Sequence, residues 1–184
     1  MLILASRSPQ RRALLRQIGL DFRVIVAEVE EGDDPMANAL AKARNVAART
    51  GDRPVLGVDT VVRLDDRVLG KPVDEAEARA MIASLARRDH VVESALALLT
   101  TEGEETASSL TSVAFRDLDN QAVADYVATG EWHGRAGGYA IQGRGAALVT
   151  RIEGDYTNVV GLPVGTAVDL LAADRASRRE ASLP

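Results

Sequence analysis

Apolar runs of strand length alternate with helix-length segments along almost the whole chain, so any fold it takes must pack strands and helices together. Leu2 to Ala5 is the first run. It leads through Ser6-Arg7-Ser8 into a helix in which Ser8 is a good N-cap, Pro9 suits the first helical position and Gly19 follows the last turn. Phe22 to Val26 reads as a second strand, Pro35 to Arg49 as an alanine-rich helix, and Pro54 to Val62 as the most strand-like segment of all. A turn at Asp65-Asp66 returns the chain into Val68-Leu69, and Gly70-Lys71-Pro72 ends that hairpin. A helix from about Asp74 to Ala86 follows, then a long antiparallel hairpin of His90 to Leu99 and Thr106 to Phe115, and an amphipathic helix from Asp119 to Thr129. After a glycine-rich stretch over 130–145, the pattern predicts a strand over Ala146 to Ile152 and a loop over 154–158. After Pro163 a final helix runs to about Ala173. Residues 1–174 read as a single domain, with 175–184 a polar, frayed tail.

Composition removes several function classes. A formal net charge of -5 argues against a nucleic-acid or anionic-membrane surface, so any anion site must be local. The chain has no cysteine, hence no thiolate chemistry, disulfide or Cys-ligated zinc. Its two histidines, His90 and His133, do not suggest a His-rich metal site, and His90 at a strand start reads as structural. No stretch resembles a secretory leader or approaches the roughly 20 apolar residues of a membrane span, which points to the cytoplasm.

Charges in unexpected places carry the chemistry. Arg11 and Arg12 fall in the first turn of the first helix, where the macrodipole already favours negative charge. Backbone N–H groups, Ser8 and the guanidinium groups there would make a phosphate site, with solvated arginines on a capped helix as the plain alternative. Asp59 sits inside the most apolar strand, where an unpaired carboxylate would be costly to bury. Glu31 lies just beyond a strand and Lys71 between Gly70 and Pro72. Lys42 sits on the alanine-rich helix, where the default reading is a snorkelling surface lysine. If they converge, two carboxylates with a divalent cation, flanked by lysines and arginines, suit a polyphosphate substrate, and one carboxylate could deprotonate water. An aspartyl-phosphate phosphatase would want a second aspartate beside Asp59, and this strand has none.

The segments Leu4-Ala5-Ser6-Arg7-Ser8-Pro9-Gln10-Arg11-Arg12, Leu56-Gly57-Val58-Asp59-Thr60-Val61-Val62, Gly70-Lys71-Pro72, Ala136-Gly137-Gly138-Tyr139-Ala140-Ile141-Gln142-Gly143 and Asn158-Val159-Val160-Gly161-Leu162-Pro163-Val164 resemble, in this order, the Maf family of nucleoside triphosphate pyrophosphatases. The resemblance implies a two-lobed α/β fold, a mixed sheet flanked by helices with a deep central cleft, similar to inosine triphosphatases and often dimeric. It implies hydrolysis of a nucleoside triphosphate between the α and β phosphates with Mg²⁺ or Mn²⁺. Asp59 would accept the proton of the attacking water or bind the metal, and Glu31 would bind the metal or water. Ser8 and Arg11 would hold phosphates, with Arg12 able to take over the charge that Gln10 lacks, and Lys42 and Lys71 would stabilise developing charge. Thr60 and Gln142 resemble the dTTP/UTP branch, whereas Gln10 stands where that branch has arginine and leaves 7-methyl-GTP or a modified nucleotide as the alternative substrate. A non-catalytic nucleotide-binding regulator of cell division is the alternative from another class.

Overall fold

The computed structural model describes residues 1–181. Its strands are β1 (Leu2–Ala5), β2 (Phe22–Val24), β3 (Val55–Leu64), β4 (Arg67–Leu69), β5 (Asp89–Leu99), β6 (Glu104–Phe115) and β7 (Val149–Glu153). They form one mixed sheet in the order β2-β1-β3-β5-β6-β7, with β4 pairing β3 off that path. The helices are α1 (Pro9–Gln17), α2 (Pro35–Thr50), α3 (Glu75–Leu85), α4 (Asn120–Val127), α5 (Tyr156–Val160) and α6 (Val164–Ala181). The chain divides into two compact units. The first comprises Met1–Asp59, Ser94–Ser109 and Gly161–Pro184, and the second Thr60–Glu93 and Leu110–Val160.

In the first unit β1 is parallel to both neighbours, with Leu2 opposite Phe22 and Ala5 opposite Gly57. All four β1 residues are buried, as a central parallel strand requires. Helix α2 starts where Asp34 Oδ1 accepts the N–H groups of Met36 and Ala37 at 2.8 and 3.2 Å, with Pro35 behind the cap. Its buried positions are Pro35, Asn38, Ala39, Lys42, Ala43, Val46 and Ala47, a stripe at helical spacing. Ala39, Ala43, Val46 and Ala47 pack with Ile3, Ala5, Val55, Ala95, Ala97 and Leu99 in the core of this unit.

In the second unit Arg67–Leu69 folds back antiparallel on β3, with Val62 opposite Leu69. Helices α3 and α4, capped by Asp74 and Asp119, bury Ala78, Ile82 and Leu85, and Val123, Tyr126 and Val127. His90, Phe115 and Tyr139 meet edge to face with centroids 4.9–5.4 Å apart.

Three expectations shift at the carboxyl-terminal end. Residues 144–148 form a 3₁₀ turn, so the strand begins at Val149 rather than Ala146. The expected loop at 154–158 contains α5, because Asp155 Oδ1 accepts the Thr157 N–H and hydroxyl, both at 2.7 Å, and caps the turn. Helix α6 continues past Ala173 to Ala181, through a run rich in Ala and Arg with no Gly or Pro. Residues 182–184 of the expected tail lie outside the described residues.

Candidate active site

The approach of α2 to β3 begins with a missing side chain. A Cβ on Gly57 would lie 2.1 Å from the Ala39 carbonyl oxygen and 2.9 Å from the Ala43 nitrogen, so only glycine lets the helix rest on the strand here. Asp59 is two residues further along the same strand and therefore points to the same face. The helix presents Asn38 and Lys42, one turn apart, to its carboxylate. Lys42 Nζ donates to Asp59 Oδ1 at 2.5 Å and pairs with Glu31 Oε1 at 3.0 Å. Asn38 Nδ2 donates to Asp59 Oδ2 at 2.9 Å. The side chains of Lys42 and Asp59 are only 8% and 7% exposed, whereas Glu31 is 41% exposed and open to incoming groups.

Lys42 is therefore no snorkelling surface lysine. It is a buried cation shared by two carboxylates, which is how a charge at this depth is tolerated. Convergence of Glu31, Lys42 and Asp59, which spacing alone could not give, is a property of this unit. A carboxylate offers about four acceptor positions, and Asp59 uses one on each oxygen for Lys42 and Asn38. Two carboxylate oxygens that reach one ammonium can also reach one metal ion. No group of three or more His, Asp or Glu suited to a metal occurs among the described residues.

The amino-terminal loop is closed by its own side chains. Ser8 Oγ caps α1 by accepting the Arg11 N–H at 3.3 Å and donates to Gln10 Oε1 at 3.1 Å. Arg11 is 9% exposed, and its guanidinium makes three hydrogen bonds to the protein: Nε donates to the Gly161 carbonyl at 2.8 Å, and Nη1 to the Val58 carbonyl at 2.8 Å and Ser6 Oγ at 3.2 Å. Burial lowers its pKa, opposed by the nearby negative charges of Asp59 and Glu31. Arg11 thus bolts α1 to the strand beside Asp59, in addition to the phosphate role that the sequence suggests. Half-buried Arg12 keeps its Nε buried without a hydrogen-bond partner.

Thr60, Lys71 and Gln142 belong to the second unit. Thr60 is half-buried on β3, and Lys71 and Gln142 are exposed. The glycine-rich loop that carries Gln142 is held on all sides. Gly137 N–H donates to the Gly70 carbonyl at 3.0 Å, which ties the loop to the residue before Lys71. Gly137 has φ +69°, and a Cβ there would meet Val62 Cγ2 at 2.9 Å. The Tyr139 hydroxyl and His90 Nε2 share a 2.8 Å hydrogen bond, and the Tyr126 hydroxyl accepts the Ala140 N–H at 3.0 Å. Burial pushes the Tyr126 phenol up to about 12 and the Tyr139 phenol higher, so both stay protonated. Glu131 accepts the Arg144 and Gly145 N–H groups at 3.1 and 3.4 Å and caps the 3₁₀ turn after Gln142.

Two contributors escaped the sequence reading. Asn38 looks like a neutral polar residue on a helix, and Gly57 like a small residue in a strand. The available signal was their registration: Asn38 lies four residues before Lys42, and Gly57 two before Asp59.

Comparison with known proteins bears on the same residues. A family model described as Maf-like protein matches residues 1–174. Similar proteins include a dTTP/UTP pyrophosphatase of Pelotomaculum thermopropionicum, 46% identical over 180 residues that cover 92% of this chain and 94% of the relative. A protein of the same name from Symbiobacterium thermophilum is 47% identical over 178 residues, 92% of each chain. Another, from Nitratidesulfovibrio vulgaris, is 49% identical over 179 residues, covering 92% and 85%.

Proposed function

The chain belongs to the Maf-like protein family, and we propose that it is a pyrophosphatase that hydrolyses dTTP and UTP to the nucleoside monophosphate and pyrophosphate. The observation that carries the reading is the buried Lys42 ammonium bridging Asp59 and Glu31. Water attacks the α-phosphorus, the new P–O bond forms as the bond to the bridging oxygen breaks, and pyrophosphate leaves. Asp59 takes the proton of that water at one of its remaining lone pairs. Lys42, and Lys71 from the segment anchored to the glycine-rich loop, stabilise the charge that accumulates on the phosphoryl oxygens. Ser8, Arg11 and Arg12 at the start of α1 bind the phosphates. Thr60 and Gln142 set base preference, the Gln142 amide matching the carbonyl and N–H edge of a pyrimidine.

A divalent cation fits this donor set. Mg²⁺ commonly takes one or two carboxylates, completing its shell with water and substrate phosphates, and Glu31 with Asp59 offers that pair. When bound, Mg²⁺ or Mn²⁺ would neutralise phosphate oxygens of the substrate. The reading takes residues 1–174 as one functional domain and includes the deep cleft of the family fold, a homodimer and a cytoplasmic location. No helix among the described residues is long and apolar enough to cross a membrane.

The test is product analysis with dTTP, UTP, CTP, 7-methyl-GTP and the standard purine triphosphates in Mg²⁺ or Mn²⁺. Release of monophosphate and pyrophosphate from dTTP and UTP is expected, falling by about 10²- to 10⁴-fold in Asp59→Asn. Preference for 7-methyl-GTP would shift specificity to the opening motif with Gln10. Tight binding without hydrolysis would overturn the catalytic assignments in favour of a regulator. Light scattering of the same sample checks the dimer.

A further inference from the structure

Helix α2 holds the acidic segment before it by a repeated device. Asn45 Oδ1 accepts the Glu28 N–H at 3.1 Å and its Nδ2 donates to the Glu28 carbonyl at 3.2 Å. Seven residues earlier on the same helix, Asn38 Oδ1 accepts the Gly32 N–H at 2.9 Å and its Nδ2 donates to the Gly32 carbonyl at 2.7 Å. The two amides pair with the segment as a neighbouring strand would, and Glu31 is held between those two anchor points. Lys42, which lies between the two asparagines on the helix, meets Glu31 there. Asn38 differs from Asn45 in that the second proton of its Nδ2 goes to Asp59 Oδ2 and the residue is only 5% exposed.

We propose that Asn38 is a positioning residue for the reaction, fixing the separation and orientation of the Asp59 and Glu31 carboxylates so that they present one cation site and one proton acceptor. The chemistry of an amide suits the task. It has two donors and one acceptor oxygen on a rigid plane, and all three functions are used: one proton to Asp59, one to the Gly32 carbonyl, and the oxygen to the Gly32 N–H. Lys42 alone cannot do this, because a single ammonium on a flexible stem fixes a distance to each carboxylate and leaves its rotation open. With Oδ1 held by Lys42 and Oδ2 by Asn38, the Asp59 plane is defined by two points. Groups that orient metal-binding or reacting carboxylates in this way are commonly worth 10- to 100-fold in affinity or activity. No carbon side chain replaces the function, and the buried Asp59 oxygen would lose its donor.

The inference rests on the hydrolytic reading for its kinetic test and is independent of it for its binding test. Asn38→Ala and Asn38→Leu are compared with Asn45→Ala in two assays: UTP hydrolysis, and Mn²⁺ binding followed by electron paramagnetic resonance without nucleotide. The Asn38 variants are expected to lose about 10- to 100-fold in kcat and about 10-fold in Mn²⁺ affinity. Their KM for UTP should stay within about threefold, and in an Asp59→Asn background the kcat effect should vanish because the two residues act as one unit. Asn45→Ala, which loosens the segment without touching Asp59, should show much smaller changes in both assays. Equal losses in Asn45→Ala, unchanged kcat and Mn²⁺ affinity in the Asn38 variants, or an undiminished Asn38 effect on Asp59→Asn would overturn the proposal. If the apolar variants fail to fold, Asn38→Asp keeps the volume and the acceptor for Gly32 and lacks the donor to Asp59, with the same loss in kcat expected. Should the wild-type protein hydrolyse neither UTP nor dTTP, the functional reading fails, and the Mn²⁺ comparison still decides the role of Asn38.

Discussion

His90 is buried to 2% exposure against Phe115 and Tyr139, and its Nδ1 has no hydrogen-bond partner. Burial lowers its pKa from 6.5 to about 4, with Asp89 opposing the shift weakly, so the folded protein holds a neutral imidazole throughout the physiological range. The unfolded chain binds a proton near pH 6.5 that the folded chain refuses until about pH 4, and stability therefore falls as pH drops through that window. A shift of this size corresponds to about 3 kcal/mol at most. Urea unfolding from pH 7.5 to 4 should show this loss, and His90→Gln should flatten it; a wild-type slope no steeper than that of the variant would refute the account. Legibility varied at this scale. Asp59 stood out because an aspartate inside an apolar strand needs a partner, and His90 was readable as structural. Asn38 was not readable, since an asparagine on a helix looks the same whether it faces water or a carboxylate. Arg11 was only half legible: its charge pointed to an anion, while its bonds to the Val58 and Gly161 carbonyls required the fold to bring those carbonyls to it.

Among the elements, the contact of α2 with β3 matters most, because Asn38, Lys42 and Asp59 meet across it. Its tolerance is set by Gly57, with Ala39 and Ala43 fully buried opposite. Gly57→Ala places a methyl group against backbone atoms that cannot rotate away, so the whole helix must shift. Overpacking of this kind costs about 1–3 kcal/mol and more where backbone must move. The expected result is a lowered urea midpoint together with a fall in pyrophosphate release, since the helix carries both partners of Asp59 with it. A variant with wild-type stability and turnover would show that the close approach is not needed. The strands and helices themselves were largely readable, because apolar runs, the Ser8 cap and the Asp65-Asp66 turn are local signals. The 3₁₀ turn at 144–148 was not, as its cap comes from Glu131, thirteen residues before Arg144. The five-residue α5, expected as a loop, is too short a segment to show a periodicity.

At the scale of the whole molecule, strand order was beyond the sequence reading, because β1 pairs with both β2 and β3 through register choices made by residues far apart in the chain. Family resemblance carried what local pattern could not. The family match ends at residue 174, and Asp174 closes the buried series Ala167, Leu170, Leu171 and Asp174 on α6. From Arg175 to Ala181 the sequence has no apolar residue larger than alanine. Helical continuation on its own is marginal, since short helices gain most of their stability from packing rather than propensity. A chain ending at Asp174 is therefore expected to lose under about 1 kcal/mol, a shift in Tm of no more than about 2–4 °C, and to keep kcat for UTP within about twofold. Thermal unfolding and pyrophosphate release on the shortened chain measure both. A large loss of stability would mean that residues 175–184 are part of the folded domain, and a selective loss of activity would mean that they serve the substrate site.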